Sequence, residues 1–406
     1  MVLLTVAWRN IWRNKLRSLI IIASIAIGVF AGIFISAFMK GMTSQRIESA
    51  IKTELSYIQI HNPAFRETED IDLLIDNAQE KCQKIKQIVH VNGLSPRIII
   101  KGMAASAGTS SGVQMLGIDP KEEHHVTNID QKLISGKFLE GAKRNPVVIG
   151  AKLAKTLNLK LKSKVIFTFL DYQGELTGGA FRVAGIFQTA NSMFDESTVF
   201  VRKTDMQKLT NIPPNTVHEI VVNINDNQAG KLVKSKIVEL YPGTETMLWT
   251  ELQPELAYIT QISDIYMYIF VGIILFTLGF GIVNTMLMVV LERIKEIGML
   301  LAIGMNKLRV FNMIVLETVF LSITGGLVGI ILGGIVSKYF SVHPIDLALW
   351  ADSLSSMGWD SLVYTRISFS MLIQVAGMLV LTGILAAVYP ARKALKLNPA
   401  DSLRIE

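Results

Sequence analysis

The chain has 406 residues, is 50% hydrophobic, and carries 40 basic against 33 acidic side chains for a formal net charge of +7. A mean hydropathy of +0.41 excludes an ordinary water-soluble enzyme, and the apolar residues are clumped into long runs. A single cysteine, Cys82, excludes an intramolecular disulfide framework and a cysteine-rich metal site.

Residues 1–17 read as an interfacial helix: Trp8, Ile11, Trp12 and Leu19 share one face, while Arg9, Arg13 and Arg17 recur at four-residue steps on another. That pattern places indoles at a membrane boundary and guanidiniums on lipid phosphates; with a membrane span directly after it, the basic cluster argues for no nucleic acid. Residues 18–39 hold no charge and reach the ~20 residues a helix needs to cross hydrocarbon. Gly28 and Gly32 make a G-x-x-x-G step that lets another helix approach closely.

Residues 40–263 are different in kind, with 26 basic and 24 acidic side chains and no span-length apolar run. They predict an α+β domain: a stalk over 45–55, strands at 57–61, 97–101, 113–118 and 217–224, and a helix over 77–88. A hairpin is expected from 165–170 and 181–187 around a 174–179 loop, and an outer subdomain is expected to be nested near 137–212. Chemistry is sparse here. His124 and His125 beside Glu122 and Glu123 read as a solvated loop more readily than a metal site. Ser110–Ser111 lacks a nucleophile elbow, and neither Asp171/Glu175 nor Asp195/Glu196 has a spacing that makes a catalytic pair. The phosphate-cradling pattern G-x-x-x-x-G-K-[ST] does not occur, so no ATPase is expected in this sequence.

Residues 264–291 form the second span and 310–337 the third, the latter carrying an acid, Glu317, inside the membrane, and Gly325, Gly329 and Gly333 along one face for tight helix packing. Between them, 292–309 begins with Glu292, Arg293, Lys295 and Glu296 and has an apolar stripe at Ile294, Ile297, Leu301 and Met305, the pattern of a short amphipathic helix. Residues 338–366 form an external loop with Trp350 and Trp359 as interface anchors; 367–390 form the last span, ended by Pro390; 391–406 form a tail. Positive charge concentrates in 1–17, 292–309 and 391–406, which puts both termini and the short loop in the cytoplasm and the large domain outside. The fold class expected is therefore membrane α-helical, with four transmembrane helices and a large α+β extracytoplasmic domain inserted between helices 1 and 2.

The run ER-x-x-EIG-x-L-x-AIG at 292–304, followed by Glu317 and by YPARKALKLNPADSLR at 389–404, resembles the FtsX/MacB-type permeases of ABC transporters, most of all the lipoprotein-releasing LolC/LolE kind. The resemblance covers nearly the whole chain. It implies a non-catalytic permease of a bacterial inner membrane, with no cofactor of its own and with ATP and Mg used by separate cytoplasmic ATPase subunits. It implies that Glu292, Arg293, Glu296, Ile297, Gly298, Leu301 and Gly304 belong to a coupling helix seated on that ATPase. Further implied partners are a second permease copy or paralogue, membrane lipid, lipoproteins and a periplasmic carrier. The alternatives within the family are MacB-like export of another cargo and FtsX-like activation of a cell-wall hydrolase. The loop 170–180 is shorter than the hook by which one lipoprotein-releasing permease recruits its carrier.

Overall fold

The computed structural model describes residues 2–139 and 145–395, so Lys396 and Arg404 of the expected basic tail lie outside the described residues. The chain divides into two compact units, one built from 1–43, 260–345 and 363–406, the other from 44–259 and 346–362.

Six helices carry the first unit: α1 (Val2–Arg13), α2 (Lys15–Ser49), α3 (Pro254–Glu292), α4 (Ile294–Ala302), α5 (Lys307–Phe340) and α6 (Phe369–Leu395). Four of the described helices, those containing α2, α3, α5 and α6, are long and apolar enough to cross a membrane. In hydrocarbon a helix satisfies its backbone groups internally, so these runs need no outside hydrogen-bond partner. The helix of the last expected span does not stop at Pro390: α6 continues through it to Leu395. The lost N–H costs one bond of the ladder, which a packed membrane helix tolerates.

Glycine sets how closely α5 and α2 approach. A methyl group at Gly325 would come 2.8 Å from Ile25 Cβ, one at Gly329 2.7 Å from the Ala26 carbonyl oxygen, and one at Gly333 3.0 Å from Ile33 Cβ. The glycine rows thus receive Ile25, Val29 and Ile33, themselves four residues apart and buried. Gly28 sits under Leu278 of α3 in the same way, at 2.5 Å, whereas Gly32 has room, its nearest neighbour 3.8 Å away.

The second unit is a ten-stranded sheet: β1 (Ile58–His61), β2 (Val91–Ala105), β3 (Ser110–Ile118), β4 (Leu133–Gly136), β5 (Pro146–Gly150), β6 (Lys164–Leu170), β7 (Leu176–Phe187), β8 (Thr198–Arg202), β9 (Glu219–Ile224) and β10 (Glu245–Leu248). β2 is long enough to serve two neighbourhoods. Its first half, Val91 to Arg97, pairs with β9, which leads on to β1 and β10. Its second half joins β3, β8, β5, β7 and β6, and β6 returns to pair with β2 through Gly102–Ala105, closing a ring. Alternation along these strands sends Met115, Val147, Ile149, Val165, Phe167, Phe181, Val199 and Val201 to one core, and Leu116, Ile118, Val148 and Phe200 to a second. The strands between 137 and 212 therefore share their ring with β2 and β3 instead of closing by themselves.

Two local readings change. The hairpin loop is tighter than expected: β7 begins at Leu176, and Asp171 Oδ1 accepts from the Gln173 and Glu175 amides at 2.9 and 3.0 Å around Gly174 (φ +78°). The strands expected at 97–101 and 113–118 extend towards each other to a short turn, with Ala105 opposite Ser110.

A polar row crosses the sheet. Glu245, His61 and Glu219 are direct neighbours on β10, β1 and β9, and Arg97 follows on β2. Arg97 Nη1 donates to Glu219 at 3.0 Å, and its other two nitrogens donate to Glu123 at 3.0 and 2.5 Å. Burial alone would lower the Arg97 pKa, but the two carboxylates hold it above the usual arginine value; Glu123, also fully buried, is held below its own by Arg97, Ser95 and Thr127. Burial lowers His61, and brings His218 down to about 4. Burial also raises Asp195 to about 6, against the hydrogen bonds it accepts from Thr189. Cys82, pushed up to about 12 by burial, stays an inert thiol at neutral pH.

The signs of these shifts oppose one another. Between pH 6.5 and about 4 the unfolded chain takes up a proton that buried His218 refuses, so acid removes stability. Between about pH 6 and 3.8 folded Asp195 is protonated before the unfolded residue, so acid adds stability. We therefore expect His218→Gln to gain about 3 kcal/mol of acid tolerance between pH 7 and 4, and Asp195→Asn to lose about 2 kcal/mol over the same range, in thermal melts of the detergent-solubilised protein. In the helical unit, Gly329→Leu forces α2 and α5 apart and should cost about 1–3 kcal/mol in the same melts, with Gly334→Leu, which meets nothing within 4 Å, close to neutral.

Candidate coupling site

The turn between α3 and α5 is built by three short-range signals. Arg293 (φ −97°, ψ 17°) leaves the helix between Glu292 and Ile294. Gly304 takes φ +89°, which a residue with a Cβ resists, and ends α4: its amide donates to Leu301 at 3.1 Å, and the Met305 amide to Leu300 at 3.0 Å. Asn306 then caps α5 by accepting from the Leu308 amide at 3.0 Å.

The α4 helix so formed has two apolar faces. Ile297 and Gly298 are buried, and Leu301 and Met305 pack against the helical core. On the opposite side Lys295, Met299, Ala302 and Ile303 are exposed, Met299 by 59% and Ile303 by 77%. A water-facing surface helix keeps polar residues there, so this second stripe is the feature to explain.

Charged side chains of α4 and of the α3–α4 turn reach three other helices of the unit, α1, α2 and α5. Arg13, the last residue of α1, meets Glu296 at 2.5 Å; Arg17 of α2 grips Glu292 with both terminal nitrogens, one at 2.6 Å. Arg293 donates to Glu296 at 3.0 Å and to both oxygens of Glu317 at 3.1 and 3.0 Å. Asn10 of α1 completes Glu317 with a 2.6 Å bond. Glu317 is 4% exposed and its base is Arg293 from the turn, not the nearer basic residue along its own helix, Arg309. Around these groups lies a cavity of about 220 Å³ lined by Asn10, Arg13, Arg17, Glu292, Arg293 and Glu317 among others. Burial alone would lower the Arg293 pKa, but Glu317 and Glu296 raise it; Arg13 and Arg293 hold Glu296 below the usual carboxylate range.

The structure therefore brings Glu292, Arg293, Glu296 and Glu317 together, turns Ile297, Gly298 and Leu301 inward, and leaves Gly304 at the turn. The outward stripe of Lys295, Met299 and Ile303 was missed, although its four-residue spacing is legible beside the inward one. Besides the lipid phosphates expected for the basic face of residues 1–17, two of its arginines have protein partners: Arg13 pairs with Glu296 of α4 and Arg17 with Glu292 at the end of α3. Trp8 packs edge-on against Phe320 of α5 at 5.7 Å and against Trp12 at 5.9 Å, so α1 lies on its own helical unit. Elsewhere, His124 is exposed and bonds Asp130 at 2.7 Å, Asp171 serves its turn, and Asp195 serves Thr189. Trp350 is exposed by 59%; Trp359 is half-buried.

A model of the MacB-like periplasmic core domain matches residues 18–240, and a model of the FtsX-like permease C-terminal matches 268–399. The chain belongs to the FtsX/MacB-type family of ABC transporter permeases. Among its relatives is the lipoprotein-releasing system transmembrane protein LolC of Neisseria meningitidis, 25% identical over 336 residues that make up 77% of this chain and 78% of that one. The macrolide export ATP-binding/permease protein MacB of Bdellovibrio bacteriovorus is 37% identical over 128 residues, covering 32% of this chain and 17% of that protein. The periplasmic region of MacB from Actinobacillus actinomycetemcomitans superposes with a TM-score of 0.36 at 16% identity, over 54% of this chain and 98% of that one.

For this FtsX/MacB-type permease, truncating Glu317 leaves Arg293 largely buried beside the exposed Glu296 alone. Glu317→Ala should cost about 3 kcal/mol in detergent melts, and Glu296→Ala, whose side chain is 45% exposed, under about 1 kcal/mol.

Proposed function

We propose that this chain is the permease subunit of an ATP-driven lipoprotein-releasing system of a bacterial inner membrane. In this reading the α+β unit is an extracytoplasmic insertion between the first and second spans, and both termini and α4 are cytoplasmic. The observation that carries the coupling role is the two-faced α4. Its inner stripe and the ion pairs of Glu296 with Arg13 and Arg293 make it a rigid projection, and its outer stripe of Lys295, Met299 and Ile303 is the surface a separate ATPase subunit would cover. ATP and Mg are handled by that subunit, and this chain relays its closure. Two permeases, as copies or paralogues, then hand a lipoprotein from the outer leaflet to a periplasmic carrier. The positive-inside charge bias supports the orientation, and the LolC relatives support the cargo class.

The MacB relatives favour a second cargo reading, export of another substrate. Affinity purification in mild detergent separates them: an ABC ATPase together with lipid-modified proteins supports release, an ATPase with a periplasmic adaptor supports export, and a wall hydrolase supports an FtsX-like activator. Ile303→Glu should lower recovery of the ATPase at least tenfold while leaving the melting temperature within about 2 °C, since Ile303 touches little of its own chain. Undiminished recovery would remove the outer stripe from the coupling surface. Accessibility of a cysteine introduced at Ile303 only from the side opposite one at Met193 tests the orientation.

A further inference from the structure

The α+β unit holds a cleft of about 770 Å³, within the ~300–1,000 Å³ usual for ligand pockets. Two helices supply much of its wall. On helix Ala78–Ile85, Gln79, Gln83 and, just past its end, Lys86 recur at three- and four-residue steps and so share one face. Ala78 and Ile85 of the same helix are buried in the sheet's core, while Glu80 pairs with Lys84 at 2.7 Å in solvent. Helix Lys203–Thr210 presents Lys203 and Gln207 to the cleft, again four residues apart. Asn92 at the start of β2 and Lys121 of the helix Pro120–Glu123 reach it as well.

The bonding capacity of this lining is largely unspent. Among the described residues the side-chain amides of Gln79, Gln83, Asn92 and Gln207 make no hydrogen bond, although each can both donate and accept. Three lysines and two acids line the cleft, and the acids are already engaged. Asp119 accepts from the Lys121 amide at 3.0 Å, and Glu122 faces Lys203 at 3.8 Å. That contact neutralises Lys203 only loosely, for burial raises the Glu122 pKa against the pull of Lys203 and Lys86. Neither Lys86 nor Lys121 has a carboxylate within 4 Å among the described residues. The site is thus short of negative charge and rich in idle amides.

Spacing indicates the form of the missing ligand. Residues three or four apart on a helix stand ~5–6 Å from each other, and every second residue of an extended chain recurs at ~6.5–7 Å. The rows Gln79–Gln83–Lys86 and Lys203–Gln207 therefore step nearly with an extended peptide, whose carbonyls and amides suit primary amides. A small anion would use the lysines and leave the amides idle. We propose that this cleft binds an acidic peptide segment in extended conformation, its backbone held by Gln79, Gln83, Asn92 and Gln207 and its carboxylates by Lys86, Lys121 and Lys203. The site lies wholly within the α+β unit, and neither the coupling role nor the cargo class bears on it.

The test is fluorescence anisotropy of the detergent-solubilised full chain with a labelled Ser-Glu-Ser-Glu-Ser-Glu peptide. Binding should be about tenfold or more tighter than for Ser-Lys-Ser-Lys-Ser-Lys, and should weaken as salt rises from ~0.05 to ~0.5 M. Lys86→Glu combined with Lys121→Glu should weaken it about tenfold, and Gln83→Ala combined with Gln207→Ala about fivefold. Glu122→Gln removes the carboxylate that competes for Lys203 and should tighten binding about threefold. Lys160→Glu, exposed and outside the cleft, should change nothing, and every variant should melt within about 2 °C of the wild type. Absence of binding, equal binding of the lysine peptide, or indifference to the lysine substitutions overturns the proposal. Displacement of the peptide by an equal concentration of glutarate, or indifference to the glutamine substitutions, reveals a small-anion site and overturns it as well.

Discussion

Glu317 is a carboxylate buried among apolar helices, and such a group is stable only with a cation and donors brought to it. Arg293 reaches it from the turn after α3, and Asn10 reaches it from α1. To do so, the turn must fold back on α5 and α1 must lie across the same helix, so one buried charge sets the position of two peripheral elements. Arg293 also holds Glu296, Glu296 holds Arg13, and Glu292 holds Arg17, extending the constraint from α5 to the surface of α4 and the start of α2. The ion pairs at the rim contribute little stability singly, but as a connected set they restrict α4 to one orientation.

That orientation matters more than the energy. A nine-residue helix is too short to persist in water by propensity alone. It is held by Ile297 and Gly298 beneath it, by Gly304 and Asn306 at its end, and by the arginines around it. What remains free is a stripe of lysine, methionine and isoleucine, which suits a protein groove more than solvent.

Much of this was legible in the residues. Long uncharged runs, the amphipathic period at 294–305 and the glycine row at 325–333 each depend on chemistry within a single helix, and periodicity reports that directly. The partners were not legible. That Arg13 would meet Glu296, or that Arg293 and not Arg309 would reach Glu317, depends on which helices pack together, and no local pattern encodes it. The sheet shows the same limit: β6 and β7 are legible as a hairpin, but the closure of the ring through the last four residues of β2 involves pairings 60 and more positions apart.

Ring closure has a consequence for how the sheet meets other polypeptides. A strand edge with unpaired amides is an invitation to any extended chain, and ten strands laid out flat would offer two long ones. Here the termini of the strand order are β10 and β4, each of four residues. An unfolded passer-by finds room for only a couple of ladder bonds on either, too few to hold it. The sheet can therefore work beside nascent or extended protein without becoming a template for it.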